Sequence, residues 1–180
     1  MPEEEEFIKR LLNPKTQNAA FQNLLLAYQK PLYNHIRNIV LNHDDTDDVL
    51  QNTFIKVFQH LKKFKGESKL FSWIYRIATN EAISFLNQKA KKNGISSESL
   101  QNKTIDNLKS DPYFDGDEVQ IKLHKAIAAL PKKQQLVFKM KYFEELKYEQ
   151  ISEILGTSVG ALKASYHHAV KKIEVFVMAN

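Results

Sequence analysis

The chain has 180 residues, 43% hydrophobic and 26% charged, which suits one folded domain or two small ones. It contains no cysteine, which excludes a disulfide framework, a thiolate nucleophile and a cysteine-based zinc site. No apolar run approaches the length of a membrane span, and the acidic start MPEEEEFIKR does not resemble a secretory leader. We therefore expect a cytoplasmic protein that inserts into no membrane.

The fold class predicted for the chain is all-α. Glycine and proline are scarce, at five each, while residues that favour helices are abundant. The expected architecture is two small helical domains joined by a flexible linker. Residues 1–88 are predicted to form the N-terminal helical bundle, in which Pro31 interrupts the apolar pattern and is placed in the first turn of a new helix.

The first strong helical pattern spans residues 44–61, with its apolar positions at i, i+3 and i+4 spacing. At about 100° per residue, the opposite face carries Asp48, Gln51, Asn52 and Gln59 together with one apolar residue, Ile55. Ile55 is either a singly exposed isoleucine, which is common in soluble proteins, or the anchor of a protein docking surface. The pattern alone leaves both interpretations open.

The second helical pattern starts at Leu70 and leaves Trp73, Arg76, Asn80 and Asn87 on one outward row, at i, i+3, i+7 and i+14 spacing. A loop rich in lysine, residues 62–69, precedes it. Lysines neutralise phosphates and aromatic rings stack on unpaired bases, so this combination suits a nucleic-acid strand. The alternative is that Trp73 merely forms the edge of the core.

Composition changes at residue 89, and the run from 89 to 117 is polar and without sustained periodicity. It is predicted to be a linker, since it is longer than ordinary connections within a domain. A locally ordered loop packed on one domain is the alternative, because apolar residues are scattered through it.

Residues 118–180 are predicted to form a C-terminal domain containing a helix-turn-helix at residues 147–176. Gly156 can end a short helix in the left-handed conformation, and Ser158 can cap a longer one. Residues 119–180 also carry ten Lys and Arg against five Asp and Glu, as expected of a surface that meets DNA. A generic helical hairpin with a solvated charged face is the alternative. The adjacent His167 and His168 point about 100° apart and are not expected to share a metal.

These residues carry a resemblance to bacterial sigma factors of the sigma-70 family, in the extracytoplasmic-function (ECF) group. DDVLQNTFIKVFQHLKKF and FSWIYRIATNEAISFL resemble the second conserved region of that family. LPKKQQLVFKMKYFEELKYEQISEILGTSVGALKASYHHAVKKI resembles the fourth. The resemblance implies a non-enzymatic factor without a cofactor, which binds core RNA polymerase and promoter DNA to initiate transcription. The partners it implies on the polymerase are the beta-prime clamp helices and the beta flap. Family members are often held inactive by an anti-sigma factor.

The resemblance implies three sets of contact residues. The set that docks on the polymerase clamp helices comprises Asp47, Asp48, Gln51, Asn52, Ile55, Lys56 and Gln59. The set that captures and helps open the promoter minus-ten element comprises Lys62, Lys63, Phe64, Lys65, Gly66, Glu67, Ser68, Lys69, Trp73, Arg76 and Asn80. The set that reads the minus-thirty-five element comprises Ser158, Gly160, Lys163, Ala164, Ser165, His167, His168, Lys171 and Lys172.

The chain departs from similar proteins at three positions. They usually carry a serine cap where Lys147 stands and arginines where Ser165 and His168 stand. Loss of two arginines removes readers of guanine and contacts to phosphate, so weaker or altered minus-thirty-five binding is expected. The rival functions are a stand-alone dimeric helix-turn-helix regulator and an RNA-binding enzyme, although no motif for catalysis or a small-molecule substrate is found.

Overall fold

The computed structural model describes residues 2–179, which form nine α-helices, two 3-10 turns and no strand. The helices are α1 (Pro2–Leu12), α2 (Gln17–Val40), α3 (His43–His60), α4 (Leu70–Lys92), α5 (Ser97–Asp106), α6 (Glu118–Ala128), α7 (Lys132–Tyr142), α8 (Tyr148–Leu155) and α9 (Val159–Ala179). The 3-10 turns are Leu61–Lys63 and Leu108–Ser110. The all-α prediction is confirmed; residues 1 and 180, at the ends of the predicted domains, lie outside the described range.

Helices α2, α3 and α4 pack pairwise and, with α1, form the N-terminal bundle. Their inward faces are apolar at helical spacing, and their largest residues, such as Leu24, Ile36 and Ile74, are fully buried. Burial of each such side chain stabilises the bundle by about 1.5–3 kcal/mol. The side chain of Asn42 accepts a hydrogen bond from Asp45 N at 2.9 Å and so fixes the start of α3.

The predicted break at Pro31 is wrong, because α2 runs through that residue without interruption. Proline removes one hydrogen bond to the carbonyl four residues earlier, here that of Ala27. Both residues are exposed, so water can satisfy that carbonyl. Leu24 and Leu32, which are buried on either side of the proline, hold the two halves of the helix against the same core.

The stretch from 89 to 117 is more ordered than its polar composition predicts. Helix α4 extends to Lys92, and α5 begins behind Ser96, whose hydroxyl accepts from Ser99 N at 3.0 Å. Leu100, Ile105 and Leu108 are buried, the last two in a cluster with Leu41 and Ile121. Only a few apolar residues pack this segment against the rest of the structure. The hydrophobic periodicity of its sequence is therefore too weak to indicate a helix.

Helices α6 to α9 form the C-terminal lobe, in which α9 packs on α6, α7 and α8. Gly156 ends α8 with φ +64°, and Ser158 Oγ accepts from Ala161 N at 3.3 Å at the start of α9. The predicted helix-turn-helix geometry is therefore present. None of the helices within residues 2–179 combines the length and apolarity that a membrane crossing requires.

The two lobes share part of a hydrophobic core, while Ile127, Phe138 and Ile173 belong to a separate cluster within the C-terminal lobe. Val137, Met140, Ile151, Ile154 and Leu162 of the C-terminal lobe belong to the same buried cluster as the core of the N-terminal bundle. The main junction between the lobes is the packing of α8 on α4, with α7 also touching α2.

Candidate polymerase and nucleic-acid interfaces

The outward face of α3 holds every residue predicted to dock on polymerase, and all of them are exposed: Asp47, Asp48, Gln51, Asn52, Ile55, Lys56 and Gln59. Ile55 retains 48% of its accessible surface. Lys56 forms an ion pair with Glu81 of α4 at 2.5 Å, which ties α3 to α4 beside the exposed isoleucine. The face is thus polar at its rim and apolar at its centre.

A groove of about 530 Å³ runs between α2 and α3 beside this face. Asp47, Asp48 and Gln51 line it, together with apolar side chains of Leu25 and Phe54. Its neighbourhood adds two apolar residues that the sequence-based set omits. Leu26 on α2 is 77% exposed, and Phe58 on α3 is also exposed, with its ring centroid 5.0 Å from that of Phe21. Leu26 could have been found from the sequence, since it lies off the buried stripe of α2.

The lysine-rich loop before α4 presents its cations to solvent. Lys62, Lys63, Lys65 and Lys69 are exposed, and none is ion-paired within residues 2–179. Gly66 turns the loop with φ +71°, a conformation that other residues rarely adopt. The exposed Glu67 and half-buried Ser68 complete the loop.

Phe64 differs from its predicted role as an accessible stacking residue. Its side chain is only 7% exposed and belongs to the hydrophobic core. Its ring centroid lies 5.1 Å from that of Trp73, with 52° between the ring planes. Phe64 therefore supports the indole from below, and Trp73 is the half-buried ring at the surface. The alternative that Trp73 forms the edge of the core holds in part, since one side of it packs on the core, and its contact with a nucleic-acid strand stays a prediction.

The start of α4 is capped from another helix. Lys69, the residue before α4, makes no side-chain cap, and the carboxylate of Glu4 on α1 accepts from Leu70 N at 2.9 Å instead. A negative charge at a helix N-terminus is stabilising. The contact spans 66 residues of sequence, so helix patterns alone could not reveal it.

The row of Trp73, Arg76 and Asn80 lies on α4 at the edge of the contact with α8. Ser72 Oγ donates to Glu153 Oε2 at 2.6 Å, and Arg76 Nη2 donates to the backbone carbonyl of Glu153. Asn80 is exposed one turn further along. Helix α8 thus occupies part of the surface beside this row.

The outward face of α9 is cationic along its length. Most of the residues predicted to read DNA are exposed there or just before it, namely Ser158, Gly160, Lys163, Ala164, His167, His168, Lys171 and Lys172, while Ser165 is half-buried. The only acidic residue of α9 is Glu174, near its C-terminal end. Small residues at the N-terminal end of α9 permit close approach to a DNA groove, and lysines further along can reach phosphates.

A buried polar contact also joins the lobes. Nδ1 of His35 lies 3.0 Å from both carboxylate oxygens of Glu144, and its Nε2 lies 2.8 Å from Thr79 Oγ1. His35 is fully buried. Buried polar groups need partners, so this contact specifies how the turn after α7 sits on α2 and α4.

The described residues contain no group of three or more His, Cys, Asp or Glu placed to hold a metal ion. Their exposed faces carry lysines, amides, an indole and isolated apolar side chains, which are residue types that protein and nucleic-acid interfaces use.

Comparisons with known proteins agree with this geometry. Residues 24–92 match the family model "Sigma-70 region 2", and residues 120–173 match "Sigma-70, region 4", so that together the matches span more than half of the chain. The RNA polymerase sigma factor SigV of Bacillus subtilis is 26% identical over 161 residues, covering 89% of this chain and 93% of the relative. The ECF RNA polymerase sigma-E factor of Escherichia coli (strain K12) is 26% identical over 170 residues, covering 89% and 87%.

Solved structures share the fold. CnrH, in complex with the cytosolic domain of CnrY, matches with a TM-score of 0.71 at 16% identity, over 98% of each chain. The sigma factor RpoE, in complex with the anti-sigma factor NepR from Bartonella quintana, matches with a TM-score of 0.65 at 18% identity, over 89% of this chain and 98% of that one.

The chain belongs to the sigma-70 family of RNA polymerase sigma factors, in its extracytoplasmic-function group. Members of this family are non-enzymatic factors that bind core RNA polymerase and promoter DNA and direct promoter-specific initiation of transcription. The region 4 match covers α8 and the part of α9 up to residue 173, and α3 and α4 fall within the region 2 match.

Proposed function

We propose that residues 1–88 bind core polymerase and open the minus-ten element, that residues 118–180 bind the minus-thirty-five duplex and the beta flap, and that residues 89–117 connect them. The observation that carries this division is the outward face of α3. Its exposed Ile55 lies among polar residues beside a groove that Asp47, Asp48 and Gln51 line. An apolar centre with a polar rim is the usual anatomy of a protein interface.

The clamp helices of the polymerase beta-prime subunit are the proposed partner of this face. Ile55 would lose contact with water on docking, while Asp47, Asp48 and Gln51 would pair with cationic and polar groups of the partner. Leu26 on α2 and Phe58 on α3 are further exposed apolar residues on the two helices that line the groove. These two residues are added to the proposed interface on the basis of their exposure.

The minus-ten element is the proposed target of the lysine loop and the Trp73 row. An opened strand offers phosphates to Lys62, Lys63, Lys65 and Lys69 and an unpaired base to the indole of Trp73. Stacking of that kind contributes about 1–3 kcal/mol per base, which returns part of the cost of opening the duplex. Phe64 has a supporting role in this proposal, because it holds the indole at the surface.

We propose that full use of this row involves a rearrangement. Arg76 is exposed but its Nη2 donates to the carbonyl of Glu153, so this nitrogen is free for DNA only when α8 leaves α4. The packed arrangement of the lobes is therefore proposed as the resting form of the chain, and the arrangement with α8 displaced as the promoter-binding form.

The exposed face of α9 is the proposed reader of the minus-thirty-five duplex. Lys163, Lys171 and Lys172 supply phosphate contacts, which give affinity without sequence preference. Ser165 and His168 stand where similar proteins carry arginines, so fewer bidentate contacts to guanine are available. We propose that this chain depends more on its minus-ten contacts than such relatives do.

An anti-sigma factor is a proposed partner. Of the two solved structures with this fold, RpoE is bound to the anti-sigma factor NepR, and CnrH is bound to the cytosolic domain of CnrY. The cytoplasm is the proposed location of the chain, because RNA polymerase acts there.

Transcription in a purified system tests the proposal directly. The chain, added to core RNA polymerase with a library of promoter fragments, should produce transcripts that start at discrete sites. Ile55→Asp should weaken co-elution with core polymerase by about tenfold or more and reduce these transcripts with it. A chain that binds promoter duplex alone as a dimer, and gives no transcript with polymerase, would instead support a stand-alone regulator.

A further inference from the structure

A cavity of about 90 Å³ lies at the junction of the two lobes. Residues of α2 and α4 line it from the N-terminal bundle, residues of α7 line it from the C-terminal lobe, and α5 contributes two more side chains. A space of about 10–15 Å³ is enough for one water, so this cavity has room for a ligand of several non-hydrogen atoms. We refer to it as the Lys139 cavity, after its most buried charged residue.

The wall of the Lys139 cavity is mostly aliphatic. It is formed by Ile39 of α2, Ile83 and Leu86 of α4, and Leu136 of α7. None of the lining residues is aromatic. An aliphatic wall favours an aliphatic chain, because each CH₂ group that leaves water for such surroundings is stabilised.

Most polar side chains at the cavity already have partners. Gln135, which is 9% exposed, donates to two backbone carbonyls at 3.2 and 2.8 Å and accepts from Gln101 Nε2 at 2.9 Å. Ser97 Oγ donates to Asn87 Oδ1 at 2.9 Å. These groups hold the shape of the site, and their mutual bonds make them poor anchors for a ligand.

The ammonium of Lys139 is the charged group at the cavity that lacks a partner. Lys139 is 3% exposed, and within residues 2–179 it forms neither an ion pair nor a side-chain hydrogen bond. Among the described residues, the unpaired side-chain nitrogens that water cannot reach belong to Arg37 and His124, so Nζ of Lys139 keeps an opening to the cavity that its side chain lines. A buried charge without a partner is unfavourable, and an anion that reaches it is therefore stabilised.

The charges at the cavity favour an anion. Its other charged residue is the exposed Lys132, and none of the lining residues is Asp or Glu. Burial alone lowers the pKa of Lys139 to about 8, and no neighbouring carboxylate opposes that shift. At pH 7 Lys139 still carries its proton and is a cation.

We propose that the Lys139 cavity binds a short-chain aliphatic carboxylate, whose chain lies against Ile39, Ile83, Leu86 and Leu136 and whose carboxylate pairs with Nζ of Lys139. The site takes residues from both lobes, so the ligand binds the packed arrangement and stabilises it. These five residues belong to none of the three sets of polymerase and promoter contacts. Transcription by the unliganded chain therefore does not test this proposal.

Sodium butyrate is the probe. 1-Butanol has the same chain without the charge, and acetate has the charge without most of the chain. Titration of the full chain with labelled isoleucine and leucine methyl groups, followed by two-dimensional NMR, should give saturable shifts at Ile39, Ile83 and Leu136 with butyrate. Ile127 and Ile173, in the separate cluster of the C-terminal lobe, should not shift.

Both counterparts should bind at least about tenfold more weakly than butyrate. 1-Butanol cannot form a charge-assisted bond with Lys139, and acetate buries two fewer CH₂ groups. Butyrate should also raise the melting temperature of the chain with increasing concentration.

Lys139→Met should raise the dissociation constant for butyrate at least about tenfold, while 1-butanol binds at least as well as before. Lys133→Met is the matched control, because Lys133 is exposed on the same helix and does not line the cavity. Nuclear Overhauser effects between butyrate and the methyl groups of Ile83 and Leu136 test the site in the unaltered chain, even if Lys139→Met fails to fold. Equal binding of butyrate and 1-butanol, equal butyrate binding by the two variants, or shifts that do not saturate would overturn the proposal.

Discussion

The hydroxyl of Ser72 donates a 2.6 Å hydrogen bond to the carboxylate of Glu153. The bond joins α4, which carries the proposed minus-ten row, to α8, the first helix of the helix-turn-helix. The backbone carbonyl of Glu153 accepts from Arg76 in addition, so a single residue of α8 engages two residues of α4.

Glu153→Ala should loosen the packing of α8 on α4, because it removes a charged partner of Ser72. A hydrogen bond to a charged group is worth about 1.5–3 kcal/mol. We expect a larger radius of gyration in small-angle X-ray scattering and faster amide exchange in α8. Glu149→Ala, at an exposed position of the same helix, is the matched control and should match the unaltered chain. Identical scattering from both variants would show that Glu153 does not hold the lobes together.

Trp73→Ala should impair promoter opening while polymerase binding stays within about twofold. Loss of one stacked base costs about 1–3 kcal/mol, so open complexes should fall by roughly five- to 150-fold. Permanganate reactivity of promoter thymines measures this directly. Gln88→Ala, at an exposed site on the same helix outside the row, is the control. Equal thymine reactivity in Trp73→Ala and the unaltered chain would exclude the stacking role.

Ile55→Asp should weaken capture of core polymerase by about tenfold or more, since it places a charge at the centre of the proposed interface. Ile95→Asp is the control, because Ile95 is also an exposed isoleucine but lies beyond α4, outside the α3 face. Affinity is measured by fluorescence anisotropy of labelled chain with core enzyme. If both variants bind polymerase equally well, Ile55 lies outside the interface.

Burial lowers the pKa of Lys139 to about 8, which predicts how stability depends on pH. Lys139 is 3% exposed, so its ammonium is disfavoured in the folded chain. The unfolded chain keeps its proton up to about pH 10.4. Between pH 8 and 10 unfolded Lys139 therefore binds more proton than folded Lys139, and its contribution to stability should rise with pH by a few kcal/mol at most, opposed near pH 10 by buried tyrosines such as Tyr75, whose pKa burial raises.

Lys139→Met removes this titration and preserves most of the side-chain volume. The variant should be more stable than the unaltered chain at pH 7, and its free energy of unfolding should lose most of the rise between pH 8 and 10. Urea denaturation at a series of pH values measures both quantities. A similar rise in the variant would mean that another group is responsible.

His168→Arg should add a permanent cation to the exposed face of α9. We expect tighter binding of minus-thirty-five duplex and a salt dependence steeper by about one unit of slope per added phosphate contact. Ser110→Arg adds the same charge at an exposed site outside the helix-turn-helix. Binding to duplex at several salt concentrations compares the two, and an equal gain from Ser110→Arg would point to net charge alone.

Local patterns in the sequence predicted the helices that carry strong amphipathic stripes, and they placed the α3 face and the helix-turn-helix correctly. They failed where tertiary packing overrides a local signal. Pro31 is tolerated inside α2 because buried leucines on both sides hold the helix straight, and α5 forms on very few apolar positions. Phe64 lies in a basic loop, yet its ring is buried under Trp73.

Local sequence patterns could not reveal contacts between residues that are distant in the sequence. The hydrogen bond from Leu70 N to Glu4 joins residues 66 positions apart, and the contact of Glu144 with His35 joins residues 109 positions apart. The bonds that Ser72 and Arg76 donate to Glu153 fall between these two separations. A helical periodicity reports which face is buried but not what covers it. The occupancy of the α4 surface by α8 therefore emerges only from the three-dimensional structure.

The shared core also bears on how long the unbound chain survives. Ile151 and Ile154 of α8 are buried in the same cluster as Ile74 of α4. A chain whose lobes separated without a partner would expose these residues and offer its irregular segments to proteases, which cleave opened states in preference to closed ones. We therefore expect the packing of α8 on α4 to slow proteolysis of the unbound chain. A partner that displaces α8 would protect the chain only if it covers the same apolar surface.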